Sequence, residues 1–531
     1  MLYGILNAVL YSSLLPLWEG FDEPFHYCYV QSISVERRLP VLGSAACSQE
    51  VWQSLNRVPV SHVVRQNIQA LMPFAGYFRL SAPERRRLRA EVESLPNDLK
   101  RTTVGGPLNY EAQQAPLAYA LLAIPDLALR GTPLLSRILW LRMFGAVFSA
   151  VAVGLLTLRI ASLLELPSPF RHAAVFVALA TQMLYAATAH ITNDWLAIPL
   201  ALLMFVAAVD FVRSPGLRSA AILALALSAG LLTKAYFLSF APLAAGAVIW
   251  LAGRRRIEWT HGAVVLGIVL LLGGPWYARN VALYDSLSGT QQSASGLGFK
   301  GAAEAVAKVD WAAAVVTMAR QSLWTGNNSD TAFSANTIAC MWLLLLFAAG
   351  CWLVTAIGRR LAAAEAVILA GAVLFCAGIA YATALLHIYT QGVSKSTGQW
   401  YTQAFFAPLL CVLFTGLARC GRLGRLVAAL MVCLWGYVMA ATYVAKLIPQ
   451  YGGWTEGSVR LASLLRWYRD DWARITDILS TTALARPGTT LGLTLAVVLL
   501  SAAIPVSLCR ELLFVTHRKS AGTGSGELRP E

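Results

Sequence analysis

The chain has 531 residues, 57% of them hydrophobic and only 13% charged, with a mean hydropathy of +0.60. A soluble globular chain carries roughly 25% charged residues, so a water-soluble domain is excluded. The net charge of +15 does not signal nucleic acid, because Lys and Arg gather in short clusters between apolar runs, where they orient a membrane protein and meet anionic headgroups.

The first apolar stretch, 2–17, has no basic residue ahead of it and no small-residue cleavage site behind it. It therefore reads as a retained first span rather than a signal peptide. It is short against the roughly 20 residues that cross a hydrocarbon core, so the true start is expected upstream. Further runs follow near 136–158, 172–187, 195–211, 219–232, 236–252, 260–277, 337–357, 362–385, 401–418, 425–446 and 489–508. The expected fold is an all-α integral membrane protein of about 12 spans. Basic clusters such as Arg254-Arg255-Arg256, Arg359-Arg360 and Arg510 with Arg518 and Lys519 fall in every second loop, which places those loops and both termini in the cytoplasm.

The opposite, exported loops are longer, and the first covers 18–135. Within it, 82–95 alternates Arg and Glu with Leu88, Val92 and Leu95 on one side, the pattern of an amphipathic surface helix. The apolar stretch 116–129 is too short to cross and is broken by Pro125, which suggests an interfacial or re-entrant helix. No internal repeat of the transporter kind is evident. Residues 1–420 are expected to form the working membrane region, 421–510 the last spans with an exported loop, and 511–531 a disordered cytoplasmic tail. Nine cysteines form no CxxC pair and no metal spacing. Cys28 and Cys47 share the first loop, where a disulfide forms if the compartment is oxidising.

Ionisable groups close to membrane depth are costly, which makes a cluster of them on one side a functional hypothesis. Asp22-Glu23-Pro24-Phe25-His26 follows the first span, Glu111 closes the long loop, and Asn193-Asp194 lies in the turn before the fourth span. Lys234 interrupts an apolar run, Arg279 ends the seventh span, and Tyr401 opens the tenth. Moving a sugar from a phosphate-linked lipid to a hydroxyl needs a base for the acceptor proton, and cations aimed at the departing phosphate lower the barrier. Asp22 suits the first task with Glu23 in support, and Lys234 and Arg279 suit the second. His26, Glu111, Asn193, Asp194 and Tyr401 are further site candidates.

The order of these segments resembles the GT-C superfamily of membrane glycosyltransferases, in particular the polyprenyl-phosphate-sugar branch that includes protein O-mannosyltransferases and the aminoarabinose transferases of lipid A. The resemblance is carried by Asp22-Glu23 at the start of the first exported loop, by Tyr110 to Tyr119 before the second span, and by Asn193-Asp194. Gly230-Leu231-Leu232-Thr233-Lys234, Trp276-Tyr277-Ala278-Arg279-Asn280 and Gln399-Trp400-Tyr401 with Pro408 extend it. The chain departs from the pattern at Gln114 and Ala115, where His and Pro are usual, and by lacking an Arg before Tyr401. The resemblance implies an inverting transfer from a polyprenyl-phosphate sugar to a glycan, lipid or protein acceptor on the exported face, with no nucleic acid involved. The resemblance allows a divalent metal, and the scattered carboxylates leave that cofactor open. The Arg- and Ala-rich composition points to a bacterial inner membrane.

Each residue also has a plainer reading. Asp22-Glu23 fits a loop surface, Asn193-Asp194 a helix cap, Lys234 a snorkelling span end, and Arg279 a headgroup anchor. A transporter or flippase of a lipid-linked or polar solute, or an inactive scaffold of envelope assembly, is the alternative function. The long first loop and the one-sided charges favour the enzyme.

Overall fold

A backbone immersed in lipid must satisfy its own hydrogen bonds, which leaves helices as the solution for apolar runs of this length. The structure, a computed structural model, describes residues 1–65, 71–101, 103–329, 333–454 and 460–514. Among them helices dominate, and pairing between extended segments is confined to two isolated bridges, Ala46 with Leu108 and Val60 with Pro73. Eight helices are long and apolar enough to cross a membrane: Leu134–Leu163, Asp194–Arg213, Ala235–Gly253, Ala335–Ala356, Ala363–Tyr389, Gln399–Arg419, Gly421–Tyr451 and Pro487–Leu513. A ninth crossing is available if Trp259–Leu272 and Gly274–Tyr284, bent by 51° at Gly273, act as one. The chain is an integral, multi-pass membrane protein.

Three runs expected to span are shorter or broken. The helices Leu2–Leu14 and Leu217–Leu231 have 13 and 15 residues, below the roughly 20 that span a bilayer core. The run near 172–187 is two helices, Ser168–Leu179 and Gln182–Thr188. Thr181 separates them with an extended backbone, and its hydroxyl bonds back to the Val177 carbonyl, the local competition that weakens a helix at Thr. From residue 515 on, the tail expected to be disordered lies outside the described residues.

The first loop is a folded unit with its own core. Trp18, Tyr27, Tyr29, Val51, Tyr119, Leu122 and Ile138 pack in a cluster distinct from the main core between the long helices. The Leu134–Leu163 helix has 30 residues, about 45 Å of length. Such a helix outruns a hydrocarbon core of about 30 Å, and its first turns carry Arg137 and Arg142 into the loop. The expected surface helix forms as Ala82–Glu93, begun by a capping box between Ser81 and Glu84. It lies against the protein, where Arg85 and Arg86 pair with Asp477. Leu117–Ala128 is a 12-residue helix that begins at the residue after Pro116. The Cys28–Cys47 disulfide is formed, with Cα atoms 5.2 Å apart, and ties the Glu23–Ser34 helix to the loop.

Candidate active site at the helix ends

Five segments from distant parts of the chain meet at helix ends. The Asp194–Arg213 helix begins at Asp194, the Leu217–Leu231 helix ends just before Lys234, and Gln399–Thr402 leads into another span. Together with the turn at Phe21-Asp22 and the Glu111–Gln114 segment they enclose a polar cavity of about 30 Å³, room for a water-sized group. Asp22, His26, Glu111, His190, Asp194, Lys234 and Tyr401 line it, with Phe21 and Trp400 stacked 4.7 Å apart as one wall. A second cavity of about 290 Å³ adjoins it, and Glu111, Gln114, Lys234 and Tyr401 line both. The larger space has a mixed lining, with hydroxyls and amides from Ser288, Thr290 and Gln292 and apolar groups from Leu238, Phe375 and Leu385.

The turn that aims Asp22 is held from several directions. Asp22 has a left-handed backbone at φ 55°, a conformation that a non-glycine residue keeps only under outside constraint. The Asn328 amide donates to the Gly20 carbonyl at 3.0 Å, and His190 Nε2 lies 3.1 Å from the Phe21 carbonyl. Gly20 must be glycine, because a Cβ there would overlap the His190 side chain. The following residue, Glu23, is fully buried and receives Arg142 Nε at 2.6 Å and the Ile191 amide at 3.0 Å. Arg142 also donates to the Leu15 and Pro16 carbonyls that precede the turn.

Within the cavity, Tyr110 donates its hydroxyl to Asp22 Oδ1 at 2.5 Å. Lys234 Nζ reaches both oxygens of Asp194 at 2.7 Å and sits 4.7 Å from the Tyr401 ring centroid. Glu111 Oε2 and His190 Nδ1 are buried and have no hydrogen-bond partner among the described residues. Desolvation raises the Asp22 carboxyl above its ordinary range, against the Tyr110 hydrogen bond and the Lys234 charge. Burial, then the Asp22 charge, raises Glu111 to about 8. Burial also pushes His190 down to about 4 and His26 well below its usual value. His26 Nδ1 and Glu111 Oε2 therefore face each other at 3.6 Å as neutral groups near pH 7, and the 2.7 Å contact of His26 is with the Tyr119 hydroxyl.

Asp22, His26, Glu111, Asp194, Lys234 and Tyr401 of the expected set thus converge. Two residues assigned a direct part lie elsewhere. Glu23 lines neither cavity, since its carboxylate is taken up by Arg142. Arg279 lines neither as well: it donates to the Pro40 carbonyl at 2.8 Å and lies over Trp276. Asn193 stands behind the cavity and donates to the Gln114 side chain at 3.0 Å; its side chain makes no cap bond. Arg137, Arg142 and His190 were missed. The two arginines had a signal, charge inside an apolar run, and His190 had none beyond its place in a short turn. Among the described residues no group of three or more His, Cys, Asp or Glu side chains is placed to hold a metal ion.

Fold and site together define a multi-pass membrane protein with a small polar pocket of carboxylates, histidines and a lysine at its helix ends, adjoining a larger cavity of mixed lining. Among solved structures it is similar to ArnT from Cupriavidus metallidurans bound to undecaprenyl phosphate, at 11% identity over 85% of this chain and 75% of that one, with a TM-score of 0.42. No family model matches the chain. Nor does any curated protein sequence.

Proposed function

We propose that the chain is a membrane glycosyltransferase that moves a sugar from a polyprenyl-phosphate donor to an acceptor hydroxyl with inversion, on the exported side of the membrane. The observation that carries this reading is the junction of two cavities. A small one holds Asp22, Asp194 and Lys234, and a larger one offers both hydroxyls and amides and apolar side chains. A donor whose parts are a lipid, a charged headgroup and a polyhydroxylated ring needs these three surfaces. Five separate segments that carry the resemblance to the polyprenyl-phosphate-sugar branch contribute to the cavities, which supports the same reading.

Asp22, aimed by a strained turn, takes the proton of the attacking hydroxyl. Lys234, fixed by Asp194, offers positive charge to the phosphate. Glu23 and Arg142 act by holding the turn. The Cys28–Cys47 bridge on the helix that follows Asp22 supports an oxidising, exported side for the site.

The test is transfer by the purified, reconstituted protein from a panel of polyprenyl-phosphate sugars, read as sugar release or glycosylated product. Turnover of at least one donor, lost in Asp22→Asn, is the expected result. A folded protein that neither binds nor turns over any prenyl phosphate would remove the proposal.

A further inference from the structure

Lys234 is the only Lys or Arg lining either cavity among the described residues, and its ammonium is already held by both oxygens of Asp194. A phosphate arriving at the junction of the cavities therefore meets one shared cation. Beside that cation lies Glu111, on the wall common to both spaces, with Oε2 buried and without a hydrogen-bond partner among the described residues. An ionised carboxylate there would repel the phosphate across a short, poorly solvated gap. A carboxylic acid would instead donate to it.

We propose that Glu111 is the acid of this site, whose carboxyl proton is passed to the phosphate oxygen that leaves the sugar. The inference rests on the lipid-phosphate reading of the site. As the acceptor oxygen bonds to the anomeric carbon, the bond from that carbon to the phosphate oxygen breaks and its electron pair stays on the phosphate. The acceptor proton goes to the Asp22 carboxylate and the Glu111 proton to the departing oxygen. The products are the glycosylated acceptor and a monoanionic prenyl phosphate, with Asp22 protonated and Glu111 ionised. Proton return from Asp22 to Glu111 resets the pair, and the total charge is unchanged throughout.

The surroundings of Glu111 favour its acid form. Desolvation, the Asp22 charge and, more weakly, Asp194 hold its proton, while Gln114 and Lys234 oppose them. The other titratable groups that feel its charge are Tyr110, Tyr119 and Tyr401, and the neutral His26 faces it. Among the described residues Lys234 is the cation that offsets these.

The experiment is calorimetric titration of the wild-type protein and Glu111→Gln with geranylgeranyl phosphate, from about pH 7 to about pH 9.5, above the phosphate's own second ionisation at about 6. Wild-type affinity is expected to fall about tenfold or more above pH 8, and the variant, which still donates from its amide, to bind evenly across the range. Transfer by the variant is expected to be about 100-fold slower, since an amide holds the phosphate and cannot give up a proton. Wild-type affinity that stays level to pH 9.5, or equal pH dependence in both proteins, overturns the role of Glu111 and leaves the glycosyltransferase reading standing. If the wild-type protein binds no prenyl phosphate at any pH, both fall together.

Discussion

Two buried clusters of charge involve the first loop, and they differ in one respect. Around Arg137, groups are matched: Nη2 reaches Glu50 and Nε reaches the Tyr27 hydroxyl, each at 2.6 Å. Glu50 also accepts from Gln31, and Asp126 from Ser34. Around Asp22, by contrast, Glu111 Oε2 and His190 Nδ1 have no hydrogen-bond partner among the described residues, and both residues line a cavity. Buried polar atoms are almost always satisfied in native structures. The first cluster therefore reads as a fastening, and the second as a place kept for something else to bind.

The comparison can be broken by mutation. Asp22→Asn is expected to lower transfer by about 10²- to 10⁴-fold with unchanged expression and melting; a large loss of stability would move Asp22 into the fastening class. Arg137→Met should do the reverse. It strands Glu50 and Asp126 in a dry core, which costs about 3 to 5 kcal/mol of stability, read as a lower melting temperature and poor yield.

Glu111→Gln sharpens the contrast through pH. A carboxyl at about 8 when folded, against an ordinary 4.5, binds more protons folded than unfolded between those values, so its contribution to stability is lost as pH rises through that window. The melting temperature of the variant relative to wild type should accordingly climb between about pH 5 and about pH 8. The smallest effect is expected from Arg279→Ala. It removes a part-buried contact to the Pro40 carbonyl and should change transfer by less than about tenfold, or about 1 kcal/mol. A loss as large as that of Asp22→Asn would bring Arg279 back to the phosphate.

Much of this was legible in the sequence because membrane depth makes polar residues expensive, and so informative. Asp22, Asp194 and Lys234 stand out against apolar neighbours, and alternate basic loops imply that they share a side. What the sequence does not carry is pairing. Glu23 and Arg142 are more than a hundred positions apart, and their side chains meet only because the Leu134–Leu163 helix extends into the loop. Arg279 sits in a pattern that suggests a phosphate ligand, yet a cation beside Trp276 finds a nearer partner in the ring and a backbone carbonyl. The break at Thr181 within an apolar run was equally silent, since hydropathy does not register a hydroxyl that bonds its own backbone.

The glycine at position 20 accepts the His190 side chain where any other residue would have its own Cβ. The bend carrying Asp22 therefore reaches its final form only after a segment 170 positions later has been made and has docked against it. Closing a loop of that length costs chain entropy, which the contacts at the bend must offset. A nascent or truncated polypeptide ending before His190 therefore holds Asp22 without the neighbour that shapes its bend.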